Sequence, residues 1–304
     1  MAEADPGVAA GPSRAGVPPW ALAVAAMLSV QLGSALSVGL IEKIGSAGTA
    51  WLRLTAGALI FLLLARPPLR EIRRRDLPAL LALGVVSGLM SVVFLAAIDR
   101  IPLGTAVAIE FLGPLTVAAV RSHSRAGLAW PVLAMCGVVL LTEPWLGDID
   151  PAGIGFAAAG AVGWGSYLLL TQRVGDRFSG ITGLTLTIPI AAATAAVVGV
   201  PQAAGQLDLP IVLTAVGLAL LLPVIPFALE MAALRRMTHT AFGTLAALEP
   251  AIGTFIGLIV LHQRPSWPQA LGVLLVVGAG AAAQRGGRRR DADPVATGSG
   301  AEPW

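Results

Sequence analysis

The sequence predicts an all-α integral membrane protein: ten transmembrane helices, arranged as two inverted five-helix repeats with both termini cytoplasmic. Three observations predict it. The 304 residues are 56% hydrophobic and 12% charged, with mean hydropathy +0.81, whereas soluble domains carry about 25% charged residues. Apolar segments of bilayer length follow one another along the chain. Short stretches of the first half recur, in the same order, in the second.

In chain order, residues 1–17 are rich in Ala, Gly and Pro and are predicted to be disordered. They lack the basic start, short apolar run and cleavage site of a signal peptide. Apolar segments then occupy about 19–41, 47–65, 77–98, 102–120, 128–146, 153–171, 180–200, 210–233, 240–261 and 267–283. Each is near the ~20 residues a helix needs to cross a bilayer. Helices are required because lipid leaves no other partner for the backbone. The turns are short and marked by Pro and Gly: Arg66-Pro67-Pro68, Gly147 to Pro151, Gly175 to Gly180 and Pro265 to Pro268. The polar tail, 285–304, is predicted to be disordered.

The duplication rests on three echoes. GTAVAIE at 104–110 matches GTLAALE at 243–249, AAIDRIP at 96–102 matches AALRRMT at 232–238, and LIEKIG at 40–45 matches LTQRVG at 170–175. Their offsets of 139, 136 and 130 residues divide the body into repeats at 18–146 and 147–284. With the N-terminus placed in the cytoplasm, 16 of the 20 Lys and Arg fall on that side. Lys43, Arg100 and Arg264 fall opposite, and Arg53 lies within the second segment. The positive-inside bias therefore puts both termini in the cytoplasm. Five helices per half is an odd number, so the halves insert in opposite senses. Such repeats place a binding site near the bilayer midplane, where they meet.

Charges within the membrane are the candidate site residues, since burying them without a purpose is costly. Glu110 falls near the middle of the fourth segment and Glu249 near the middle of the ninth, as mates under the pseudo-twofold. Pro114 removes the hydrogen bond normally accepted by the carbonyl of Glu110, and Pro250 does the same for Ala246. Each glutamate thus has a freed carbonyl nearby, which suits an ammonium group or a transported proton. The alternative is a protonated glutamate bonded across a helix interface. Glu249 directly precedes its proline and is taken as the substrate or proton site, with Glu110 complementary or structural. Glu230 follows Pro223 and Pro226, a pair expected to break the eighth segment as a gate; it either faces the cavity or pairs with Arg235 and Arg236. Arg53 either snorkels outward near Glu42 or points inward toward a carboxylate. Gln31, Ser34 and Ser37 share one face of the first segment, and Trp164, Ser166 and Tyr167 stand in the sixth. These either line a cavity or pack helices.

Several classes are excluded. The pI of 9.9 comes from arginines scattered over short loops, with no basic stripe interleaved with aromatics, so no nucleic-acid partner is expected. Cys136 is the single cysteine and has no disulfide mate. His123, His239 and His262 lie on both sides of the membrane and cannot converge, so no metal is expected. HExxH, GxSxG and GxxxxGK[ST] are all absent. No catalytic residues, cofactor or enzyme activity are expected; the partners are a small-molecule substrate and the bilayer.

PFALEMAALRRM (226–237) followed by AFGTLAALEPAIGTFIG (241–257) resembles the second-half signature of the threonine/homoserine exporters, within the EamA-domain drug/metabolite transporter superfamily. EFLGPLTVAA (110–119), QLGSAL (31–36), AWLRLTAG (50–57) and GWGSYLLLTQRVG (163–175) resemble the same family. The resemblance spans about 19 to 283. It implies a five-plus-five inverted repeat around a central cavity, and ATP-independent export of small metabolites, typically amino acids. Glu110, Glu230, Glu249, Pro114, Pro250 and Gln31 match its pattern. Three positions depart from it and bear on substrate choice: Val38 in place of a lysine, Ser91 in place of an asparagine, and His262-Gln263 in place of Gly-Glu.

The expectation is a multi-pass secondary transporter of a bacterial inner membrane, exporting small amino acids or related metabolites with proton coupling. The rival within transport is a drug or other metabolite exporter of the same fold. A membrane-embedded lipid enzyme would need converging nucleophile, base or metal ligands, and a non-transporting subunit would not need mirrored midplane glutamates. The topology is tested by single cysteines replacing Pro68, Asp148 and Arg290 in a Cys136→Ser background. Membrane-impermeant labelling is expected to report inside, outside and inside; an outside report at residue 290 refutes inverted repeats.

Overall fold

The computed structural model describes residues 17–65, 73–122, 129–147, 150–175 and 181–287. The expected disorder of 1–16 and of 288–304, the turns at 66–68 and 176–180, Asp148 and His123 lie outside the described residues. Those described form helices joined by short connections, with no strand among them. Seven stretches are long and apolar enough to cross a bilayer by length and composition, and two shorter apolar helices, Ala129–Thr142 and Trp267–Ala283, accompany them. Large apolar side chains such as Leu63, Val162 and Val197 stand 87%, 72% and 74% exposed. A surface so apolar fits lipid and not water. The protein is a multi-pass membrane protein.

The first element, α1 (Pro19–Leu64), is 46 residues long. A straight helix of that length would span about 69 Å, over twice the ~30 Å hydrocarbon core. It reverses instead at Gly45, whose φ 76 and ψ 168 fall in a region open essentially to glycine alone. The helix therefore runs to Ile44, past the expected end at residue 41, and the loop expected over 42–46 contracts to a single-residue corner. The second arm restarts under a cap: Oε1 of Gln202 accepts the N–H groups of Ala47 at 2.8 Å and Gly48 at 3.0 Å. The Gln202 carboxamide lies directly against the bare Cα of Gly45, where a Cβ would overlap it.

The remaining elements are α2 (Leu77–Ile98), α3 (Leu103–Glu110), α4 (Leu112–Ser122), α5 (Ala129–Thr142), α6 (Pro151–Gly175), α7 (Ile181–Ala203), α8 (Leu209–Ala219), α9 (Ile225–Leu234), α10 (His239–Ala246), α11 (Glu249–Val260) and α12 (Trp267–Gly287). Several boundaries differ from expectation: α6 and α7 run on to Gly175 and Ala203, past 171 and 200. α5 stops at Thr142, short of residue 146, because Glu143 takes φ 40 and turns its carboxylate onto the Ser266 hydroxyl, which donates at 2.8 Å. α12 continues through Arg285–Gly287, where disorder was expected.

All eight residues of α3 are buried. It is the axis of the bundle, touching α2, α4, α5, α6, α11 and α12. An apolar helix without a polar face is stable only when enclosed all round. Small residues allow the close crossings: Gly137 of α5 and Gly272 of α12 each lie against the other's carbonyl, at 2.7 and 2.6 Å from an added Cβ. α1 packs along α7, and α2 lies across α6 and α7.

The corner at Gly45 is the testable point. Gly45→Ala forces an L side chain into glycine-only backbone space and into Gln202, and is expected to cost about 1–3 kcal/mol. Gln202→Ala removes only the cap and should cost about 1 kcal/mol. Thermal unfolding in detergent reads both; an unchanged Tm for Gly45→Ala would show that the corner relaxes freely.

Candidate functional site

Three helices are interrupted, two of them beside a glutamate and the third shortly before one. α3 ends at Glu110, four residues before Pro114, and α10 ends at Ala246, four residues before Pro250. In both cases proline has no N–H to offer the last helical carbonyl. The third break separates α8 from α9 by a π turn over Leu220–Val224, where Leu222 has φ −159 and ψ 107; Glu230 follows on α9.

Helix starts and prolines of the two halves correspond at an offset of 136, residues 103 and 114 against 239 and 250. The glutamates correspond at 139. They are therefore not positional mates, as the sequence suggested, but stand three residues out of step with their breaks. Glu110 is the last residue of α3, whereas Glu249 is the first of α11 and lies in its first turn. The breaks are one and two residues long and keep helical backbone, so each carboxyl group lies near the junction of one helix C-terminus with the next N-terminus.

The carboxyl groups converge nonetheless. Glu110 lies within electrostatic reach of Glu249, Glu249 of Glu230, and Glu230 of Tyr167 on α6. Glu230 does not pair with Arg235 or Arg236: both arginines are exposed, and no ion pair joins them to Glu230 among the described residues. Gln31 of α1, 2% exposed, is buried beside the cluster; an added Cβ on Gly253, one turn beyond Glu249, would stand 3.5 Å from its Oε1. Among the described residues, the buried acceptors Oε1 of Gln31 and Oε1 of Glu110 have no hydrogen-bond partner, nor does Oγ1 of Thr171 on α6. Acceptors without donors inside a protein call for a donor from outside it.

Arg53 does not snorkel. It is 3% exposed, and Nη1 donates to Ser37 Oγ at 3.3 Å, while Ser37 donates to the Gly33 carbonyl at 2.7 Å. No carboxylate forms an ion pair with it among the described residues. Ser34 is fully enclosed and donates to the Val30 carbonyl at 2.9 Å, so in this conformation it packs α1 and presents no surface. Trp164 meets Phe111 edge to face at 6.0 Å, and Ser166 bonds back to Val162. Val38 packs against the main core and Ser91 is half-buried. Among the described residues, no group of His, Cys, Asp and Glu could hold a metal ion.

Two positions at the site carried no signal of this role in the sequence. Gln263 appeared only as a departure, yet its Oε1 accepts the N–H of Leu103 at 3.0 Å and so caps α3 from the end of α11. Gly160 of α6 lies directly against the Glu110 carboxyl group. α3 runs close along α11, with Gly104 against Thr254, Val107 against Gly253 and Leu103 against Gly257. Beyond the breaks α12 lies between the partners: α4 packs on α5, α6 and α12, α10 on α9, α12 and α1, and Phe111 and Ala247 both meet Gly280 of α12.

A model of the EamA-like transporter family matches residues 151–282. The threonine/homoserine exporter RhtA of Escherichia coli (strain K12) is 34% identical over 274 residues, 86% of this chain and 90% of that one. Its counterpart in Salmonella typhimurium (strain SL1344) is 33% identical over 265 residues, 84% and 87% of the two chains. A protein of known crystal structure, 19% identical, superposes with a TM-score of 0.57 over 89% of this chain and 99% of its own, a likeness of fold.

Arg53 supplies a prediction. A buried guanidinium with one long hydrogen bond and no counter-charge is a cost to the fold. Arg53→Met keeps the volume and removes the charge, and is expected to leave stability unchanged or raise it by up to ~4 kcal/mol. A lower Tm in detergent would instead make Arg53 a structural residue.

Proposed function

The chain belongs to the EamA-like transporter family, and on that premise we propose that it exports small amino acids of the threonine/homoserine kind, or closely related metabolites, across a bacterial inner membrane in exchange for protons. The observation that carries the proposal is the gathering of Glu110, Glu230 and Glu249 beside three helix breaks, with the buried acceptors of Gln31 and Glu110 unpartnered. Such a cluster takes one positive charge, and either a substrate ammonium or a proton supplies it. Binding one displaces the other, which is the coupling an exchanger needs. Arg53 on its Ser37 support is the complementary end, suited to a carboxylate. Tyr167 borders the acidic end.

The architecture read here is ten crossings in two inverted halves, 18–146 and 147–284. Counting the two arms of α1, the broken helices as single crossings and the two shorter apolar helices supports that number. The mutual glycine contact of α5 with α12, and the pairing of α3 with α11, support a pseudo-twofold between halves. With the arginine-rich side cytoplasmic, α3 and α11 are the outer arms and lie together, while α4 and α10 are the inner arms and both rest on α12. Export proceeds as the halves rock about the site, with the break at Pro223 and Pro226 as a gate.

Glu249→Gln keeps size and hydrogen bonding and removes titration. It is expected to abolish pH-gradient-driven threonine uptake into inverted vesicles, a loss of ~100-fold or more, with insertion intact; Glu110→Gln should be milder. Normal transport by Glu249→Gln across a pH series would make the glutamates protonated interhelical donors instead. Replacing Pro223 and Pro226 together by Ala is expected to lower turnover about tenfold while membrane levels hold. Wild-type turnover and affinity in that variant would mean that the break is only tolerated.

A further inference from the structure

We propose that Gly160 is a positioning residue for Glu110. It provides, by lacking a side chain, the space in which the Glu110 carboxyl group sits against α6. The inference rests on the reading of Glu110 as part of the transport site, and adds to it a residue that no sequence signal marks.

Gly113, three residues after Glu110, lies against the carbonyl of Ala161 so closely that no Cβ fits, and 3.1 Å would separate that Cβ from the Gly165 amide. The start of α4 is thereby pressed onto the backbone of α6. With the two backbones held together there, the side chain of Glu110 at the end of α3 has little depth before it meets α6. What it meets is the bare Cα of Gly160. A Cβ at 160 would overlap Glu110 Oε1 and stand 2.9 Å from Cγ and 3.0 Å from Cδ. Three atoms of one side chain occupy the volume a methyl group would need. Glu110 is 8% exposed and its Oε1 has no partner, so the carboxyl group is confined there without being tied by a hydrogen bond. It is held by shape alone and stays free to accept a donor.

The electrostatic surroundings are sparse. The acidic group facing Glu110 is Glu249 of α11. Of the other elements packed on α3, α2 and α5 carry no acidic, basic or histidine side chain, α4 and α12 carry arginine only near their far ends (Arg121, Arg285), and α6 carries Tyr167 and, near its end, Arg173. Displacing the carboxyl group from Gly160 therefore changes chiefly its distance to Glu249.

The test uses the full chain in liposomes. The Glu110 carboxyl band is identified in infrared pH titrations by its loss in Glu110→Gln. Gly160→Ala is expected to shift that band and its titration midpoint. The same substitution in a Glu110→Asp background, where the side chain is one methylene shorter, is expected to shift neither. Gly155→Ala, on the same helix with nothing within 4 Å of an added Cβ, is expected to be silent. Gradient-driven threonine uptake in Gly160→Ala should fall on the order of 10- to 100-fold and recover toward the Glu110→Asp level in the double variant. Equal shifts in both backgrounds, or no shift, overturn the proposal and leave Gly160 a packing residue. Should Gly160→Ala alone misfold, recovery of monodisperse protein by Glu110→Asp supports the assignment, and failure to recover overturns it. If wild type carries no threonine while the infrared coupling is present, the transport reading fails and the positioning role stands.

Discussion

A helix buried on every side, ending in a carboxyl group, is the constraint on which the rest of the structure depends. α3 exposes no face to lipid or water, so six other elements must enclose it. Its first free N–H finds Gln263. At the other end Pro114 withholds the donor that the Glu110 carbonyl would otherwise receive. The neighbouring helices close around it because glycines at 104, 113, 160, 253 and 257 let backbones approach, which is how helices associate where burial from water provides no drive.

The two halves share the break and differ in where they put the charge. Proline stands four residues after the last helical residue in both. The glutamates are displaced from each other by three residues, nearly one turn, across that break. One therefore ends a short helix and the other begins a longer one.

Polar side chains also replace the water that helix ends would otherwise use. Gln202 caps the second arm of α1 and Gln263 caps α3. Both glutamines belong to the second half of the chain and both capped helices to the first. The contacts between halves at these ends are thus directional hydrogen bonds, whose loss would leave buried N–H groups unsatisfied. Apolar packing alone has no such preference for one arrangement. Among the described residues Arg53 has no comparable partner beyond Ser37, which is why it is proposed for the site and not for the scaffold.

By itself the sequence determined the solvent, the helical class, the approximate places of the apolar segments and the family. Those follow from summed hydropathy and local motifs, which need no knowledge of neighbours. It also located the prolines and the glutamates, because a charge or a missing N–H inside an apolar run is visible in one dimension. The tertiary structure decided what those residues face. The single-residue corner at Gly45 depends on Gln202, more than 150 residues away. The inward turn of Arg53 depends on Ser37 across that corner, and the seat of Glu110 depends on Gly160 of another helix. The three-residue slip between glutamates and breaks was hidden because the motif that repeats and the backbone that breaks are set by different residues. Side-chain chemistry is written locally; the space a side chain occupies is written by whatever the fold brings opposite it.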